Sequence, residues 1–113
     1  MASIHVNGID LYYEVHGSGM PLVMLHGNGE DHTTFSTLCA ALQDRFQIFL
    51  FDTRGHGKST PVSVYHYSDM AQDMTEALIQ LFDGPIDLLG FSDGGIIALF
   101  LAIWYPQLVR RMI

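Results

Sequence analysis

Gly90-Phe91-Ser92-Asp93-Gly94 is the place in this 113-residue chain where a nucleophile stands in a pattern with a mechanical meaning. A G-x-S-x-G between a strand and a helix sets the serine on a sharp turn that projects its hydroxyl away from the sheet. Side chains two residues to either side would collide, which is why the pattern asks for glycine. Gly90 and Gly94 meet that need. A helix starting at the serine turns unpaired N–H groups and its dipole toward any negative charge that develops nearby, so the backbone N–H of Asp93 is a candidate oxyanion donor. The chemistry of such a turn is nucleophilic acyl transfer. The competing structural reading is that strand–helix junctions simply favour small residues, and the flanking elements must decide between the two.

Other candidate loops carry weaker signals. Gly55-His56-Gly57-Lys58-Ser59 looks like the end of a phosphate-binding loop, but that motif requires Gly where the chain has Asp52 and a helix where it has Thr60-Pro61. Gly27-Asn28-Gly29 begins a dinucleotide fingerprint, yet His32 occupies the position of its third glycine. His5, His16, His32 and His66 lack the spacing of metal ligands and Cys39 stands alone, so no metal site is expected. Met70 and Met74 belong to an apolar helical stripe, and Trp104 and Tyr105 are expected to cover the sheet.

The elements that must position these loops read in order. Asn7-Gly8, a pair suited to a type I′ turn, joins Ile4–Val6 to Ile9–Val15 as an antiparallel hairpin. Leu22–Leu25 is a short apolar run typical of a strand buried on both faces, and it ends at His26-Gly27-Asn28-Gly29. Phe35, Leu38, Cys39 and Leu42 fall on one stripe of a helix beginning near Asp31 to Thr34. Phe46–Phe51 is the next strand, and the glycine-rich loop from Asp52 to Ser59 follows it. Met70, Ala71, Met74, Ala77, Leu78 and Leu81 repeat at helical spacing behind a Ser68 cap, with Gly84-Pro85 as the stop. Ile86–Leu89 is a further buried-type strand leading through the serine turn into a helix over about Asp93–Tyr105. The fold class is therefore α/β, an antiparallel hairpin followed by a mostly parallel sheet with helices on both faces.

Composition narrows the partners. Five Lys and Arg against 12 Asp and Glu give a formal charge of −7, which argues against a nucleic-acid surface. Charged residues are 15% of the chain, against about 25% in an ordinary soluble domain, and hydrophobic residues 49%. Disorder is excluded, and an excess of apolar surface is implied. The nearly uncharged stretch Gly94–Pro106 is shorter than the roughly 18 residues of a membrane span, so no membrane insertion is expected. No export signal opens the chain, and one cysteine cannot form an intrachain disulfide, so a reducing, cytoplasmic setting is the expectation.

Taken together, three motifs at successive strand ends resemble the α/β-hydrolase family across the whole chain. His26-Gly27-Asn28-Gly29 stands where that family has its oxyanion loop, Asp52–Ser59 looks like its D-x-R-G-x-G-x-S loop, and Gly90–Gly94 matches its nucleophile elbow. The resemblance implies Ser92 as nucleophile, the backbone N–H groups of Asn28 and Asp93 as oxyanion donors, and Gly27, Gly90 and Gly94 as motif glycines. It implies no cofactor. A serine in the elbow, rather than an aspartate, points to esters, thioesters or similar small acyl substrates.

The family's order is Ser, then acid, then His, but the 21 residues after Ser92 hold no His and no acid other than Asp93. His26 and His56 lie in loops facing the elbow, and the matching family positions shape loops rather than move protons. The expectation is therefore an N-terminal half of the fold over residues 1–113, inactive alone, with Leu108–Ile113 entering a further strand. The helix after Ser92 is apolar around almost its whole circumference, and the edge beside Ile86–Leu89 is expected to be bare. Copies would pair, as a homo-oligomer or an element-swapped dimer, to bury that surface. The alternatives are a non-catalytic, self-associating relative with a vestigial elbow, or complementation by a separate polypeptide.

Overall fold

Alternation along the strands places the core. In a computed structural model, which describes residues 2–113, six strands form one sheet: β1 (Ala2–Val6), β2 (Ile9–His16), β3 (Met20–Leu25), β4 (Phe46–Phe51), β5 (Ile86–Gly90) and β6 (Val109–Met112). Their spatial order is β1-β2-β4-β3-β5-β6. The β1–β2 and β2–β4 pairs are antiparallel, and the rest are parallel. Asn7 and Gly8 hold φ of 47° and 81°, the left-handed pair that the hairpin turn requires.

Successive side chains of a strand point to opposite faces, so the continuous apolar runs feed two cores. Val23, Leu25, Phe49 and Phe51 meet α2 (Tyr67–Leu81) and α3 (Asp93–Trp104) on one face, while Leu22, Met24, Ile48 and Leu50 meet α1 (Ser36–Leu42) on the other. Met70, Ala71, Met74, Ala77 and Leu78 are the buried stripe of α2, as their spacing predicts.

Four details differ from the sequence reading. Ser68 lies inside α2: His66 is the N-cap residue and no side chain caps the helix. The first turn of the helix before β4 is a 3₁₀ turn over His32–Phe35, capped by the Asp31 carboxylate, which accepts from the Thr33 N–H. Leu38 leaves the buried stripe of Phe35 and Cys39 and is exposed. The edge of β5 is not bare, because β6 pairs along it and is extended by hydrogen bonds from Gly90 N–H to Ile113 O (2.9 Å) and from Ile113 N–H to Leu88 O (2.9 Å). At this end of the sheet the open edge is the outer side of β6.

The helix after Ser92 is covered on one side only. Ile97, Ala98 and Leu101 are buried, whereas Ile96, Leu99, Ile103 and Trp104 face outward, Ile103 at 74% exposure. Among the described residues no helix is long and apolar enough to cross a membrane.

Candidate active site

Ser92 joins β5 to α3 with φ 56° and ψ −117°, a backbone conformation that a residue with a side chain adopts at a cost of about 1–3 kcal/mol. The turn is held from several sides: Phe91 N–H donates to Leu25 O (3.0 Å), and the Ser92 carbonyl accepts from Gly95 N–H (2.9 Å) and Ile96 N–H (3.2 Å). Glycine is required beside it for lack of room. A Cβ on Gly90 would lie 2.6 Å from Gly95 Cα, and one on Gly94 would lie 2.6 Å from His26 O, with the Leu25 carbonyl oxygen closer still. Ser92 itself is exposed, outside the packed interior.

The loop after β3 reaches the serine through Gly27, where a Cβ would stand 3.3 Å from Ser92 Cβ. Its amides are assigned one by one. Gly27 N–H donates to Glu30 Oε1 (2.8 Å), Gly29 N–H to His56 Nε2 (3.0 Å), and Glu30 N–H to Gly27 O (3.3 Å). The Asn28 N–H has no hydrogen-bond partner among the described residues, and neither has the Asp93 N–H at the start of α3. Asn28 is exposed and Asp93 half-buried, so both N–H groups are open to water or to a ligand.

Both nearby histidines are fully engaged as loop braces. His26 is buried; its Nδ1 donates to Gly27 O (2.7 Å) and its Nε2 accepts from Thr53 N–H (3.0 Å). Burial pushes its pKa below the usual imidazole value, which keeps the ring neutral. His56 accepts from Gly29 N–H through Nε2 and donates from Nδ1 to Arg54 O (3.0 Å). Neither ring has a nitrogen to spare for the serine proton.

The loop after β4 is a structural clamp. Asp52, fully buried, accepts from His32 N–H (2.7 Å), His32 Nδ1 (2.8 Å) and Lys58 N–H (2.8 Å). Gly57, at φ +52°, packs where a Cβ would strike that carboxylate. Arg54 makes a two-point ion pair with buried Asp73 (2.8 and 2.9 Å), and this hydrogen bonding raises the guanidinium pKa further. Asp31, His32 and Asp52 bring three potential metal donors within 4.8 Å of one another, a grouping the sequence spacing did not reveal. The carboxylates there are already occupied, Asp31 by Thr33 and Asp52 by His32 and Lys58.

Two depressions flank the elbow. One, of about 530 Å³, is lined by Asn28, Tyr65, Tyr67, Asp93 and Phe100 among others. Tyr65 OH donates to Asn28 Oδ1 (2.8 Å) and Tyr67 OH to Asp93 Oδ1 (3.0 Å), so one segment ties down the side chains of both residues that carry a free amide. The bond to Asp93 raises the Tyr67 pKa. The other depression, about 350 Å³, is apolar and is lined by Ser92, Ile96, Leu99, Met112 and Ile113 among others. Glu30, Tyr65 and Tyr67 escaped the sequence reading.

A strand–serine–helix turn with glycines at both flanks, on a sheet of this order, also finds its match among known proteins: the profile of the α/β hydrolase fold family covers residues 20–113. The chain belongs to the α/β hydrolase fold family. It is 36% identical over 110 residues to the sn-1-specific diacylglycerol lipase ABHD11 of Danio rerio, covering 93% of this chain and 35% of that protein. It is 34% identical over 119 residues to the serine hydrolase BPHL of Mus musculus, covering 99% of this chain and 41% of that protein. Among solved α/β hydrolase structures, an esterase from Thermogutta terrifontis superposes with a TM-score of 0.88 at 30% identity, covering 97% of this chain and 42% of that one. The chain thus spans between a third and a half of the length of these relatives.

Proposed function

We propose that this α/β hydrolase chain carries the nucleophile and oxyanion site of a serine hydrolase acting on a small ester, thioester or related acyl substrate. Ser92 Oγ attacks the acyl carbon. The backbone N–H groups of Asn28 and Asp93 stabilise the oxyanion as the carbonyl π bond opens, aided by the N-terminal dipole of α3. The leaving group departs with a proton, and water cleaves the resulting acyl–Ser92 ester. The observation that carries this reading is the strained, exposed Ser92 at φ 56°, with the unpartnered Asp93 amide next in the chain and the unpartnered Asn28 amide in the loop that Gly27 brings against it.

The histidine and acid that complete such a triad are assigned to residues outside the 113, since His26 and His56 are committed to backbone groups. The chain on its own then turns over slowly: in subtilisin, a different protein, loss of the histidine alone costs about 10⁶ in kcat. A cytoplasmic setting suits the single buried thiol, Cys39. The test is labelling with a fluorophosphonate probe in a polypeptide that includes the later histidine. Modification at Ser92 that disappears in Ser92→Ala is the expected result, and labelling that survives this substitution overturns the assignment.

A second reading concerns the 113-residue chain by itself. We infer that it pairs with a second copy, because the outward residues Ile96 and Leu99 of α3 share one apolar depression with Met112 and Ile113 at the open β6 edge.

A further inference from the structure

Asn28 and Asp93, whose amides are read as the oxyanion donors, each carry a side-chain oxygen able to compete for such an amide. Asn and Asp side chains readily accept from their own or a neighbouring backbone N–H, and a carboxylate at the start of a helix is drawn to the unpaired N–H groups there. Here both oxygens are engaged elsewhere. Asn28 Oδ1 accepts from Tyr65 OH (2.8 Å) and Asp93 Oδ1 from Tyr67 OH (3.0 Å), while both backbone N–H groups are without a partner among the described residues.

The two hydroxyls come from one short segment. His66 is extended, at φ −122° and ψ 154°, so the side chains on either side of it point the same way, and they reach the loop after β3 and the start of α3. The Tyr65 ring packs over Gly55, where a Cβ would stand 3.1 Å from its Cδ1, and it meets the His56 ring edge-on with centroids 5.0 Å apart. His56 in turn accepts from Gly29 N–H (3.0 Å), so one cluster holds both the Asn28 side chain and the peptide that follows it. The bond to Asp93 raises the Tyr67 pKa, which keeps that hydroxyl protonated and donating.

We propose that Tyr65 and Tyr67 are positioning residues of the oxyanion site, their hydroxyls holding the side-chain oxygens of Asn28 and Asp93 away from the two donor amides. This rests on Ser92 being the nucleophile and on those amides being its oxyanion donors. Freeing either oxygen then does more harm than deleting it, because a freed oxygen occupies the amide and a deleted one cannot.

The experiment measures kcat and KM for p-nitrophenyl acetate in a longer polypeptide that carries the proposed histidine. Wild type is compared with Tyr65→Phe, Tyr67→Phe, Asn28→Ala, Asp93→Ala, the pairs Tyr65→Phe with Asn28→Ala and Tyr67→Phe with Asp93→Ala, and Ser92→Ala; circular dichroism checks that each is folded. Losing an oxyanion donor outright costs about 10²–10³ in kcat, and an oxygen that occupies the amide nine-tenths of the time removes about 10-fold. Each Tyr→Phe substitution should therefore lower kcat about 10-fold with KM within about twofold of wild type. Asn28→Ala and Asp93→Ala, which keep their backbone N–H, should each be faster than the matching tyrosine variant, and adding Tyr→Phe to them should change kcat less than about twofold. A kcat within twofold of wild type in both tyrosine variants, alanine variants as slow as the tyrosine ones, or the same Tyr→Phe loss in both backgrounds overturns the tyrosine role while leaving the serine reading intact. Hydrolysis by Ser92→Ala equal to that of wild type overturns the serine reading, and the tyrosine role with it.

Discussion

Gly94→Ala tests whether the elbow is held by backbone against backbone. The added methyl would stand 2.6 Å from His26 O and closer to the Leu25 carbonyl, about 0.7 Å or more inside an ordinary carbon–oxygen contact of about 3.3 Å. Neither neighbour is a flexible side-chain end. Relief requires α3 to move away from the end of β3, which also stretches the Phe91 N–H to Leu25 O bond. Overpacking of this kind costs about 1–3 kcal/mol and the weakened hydrogen bond adds about 1, so the expected loss is about 2–4 kcal/mol. Against the 5–15 kcal/mol that stabilises a typical domain, this is a large fraction. Urea denaturation measures it, with Gly84→Ala as the control, because a Cβ at Gly84 meets nothing within 4 Å. That control should be neutral or slightly stabilising. A loss under 1 kcal/mol for Gly94→Ala, or one equal to the control, refutes the tight-junction argument.

Three further outcomes follow from other parts of the molecule. The folded-state pKa of His26 lies below its ordinary 6.5, so below that pH the unfolded chain binds a proton that the folded chain resists. The His26 contribution is fully present above pH 6.5 and is lost as pH falls toward the depressed value; urea midpoints at pH 7.5 and 5.5 should differ less in His26→Gln than in wild type, and an equal difference contradicts the assignment. Arg54→Ala leaves Asp73, 1% exposed, with only the Asn7 amide (3.1 Å) of its side-chain partners, and should cost about 3 kcal/mol by denaturation; a change below 1 kcal/mol would mean that the pair is idle. Sedimentation at micromolar concentration should show self-association of the 113-residue chain that Leu99→Glu weakens, and a monodisperse wild-type monomer would sink that reading.

Local patterns carried much of the fold into the sequence. Asn7-Gly8 announced its hairpin through backbone preference, and the Leu22–Leu25 and Phe46–Phe51 runs announced strands buried on both faces. The misreadings have local causes too. Ser68 resembled a cap by residue type, but the chain enters the helix at Tyr67, one residue before that side chain could serve. Leu38 satisfied helical periodicity, yet α1 covers the sheet with only a narrow stripe. Leu108–Ile113 read correctly as the entry to a further strand, but that Val109–Met112 lies along β5 and covers the edge expected to be bare is a long-range pairing that no local pattern announces.

At the site, Ser92 and its glycines were legible because the turn that they form is local. The occupied rings of His26 and His56 and the tyrosine ties to Asn28 and Asp93 were not. They depend on contacts between residues 26 to 37 apart in sequence, such as Tyr65 to Asn28, for which no spacing rule exists.

The most direct measurement of the central claim is the amide NMR spectrum of a phosphonylated Ser92 adduct, prepared in a longer polypeptide that carries the proposed histidine. The account predicts large downfield shifts of the Asn28 and Asp93 N–H signals, as both donate to the phosphoryl oxygen, with Gly27 and Gly29 moving little because Glu30 and His56 already hold them. Unchanged Asn28 and Asp93 signals in an adduct proven to sit on Ser92 would contradict it.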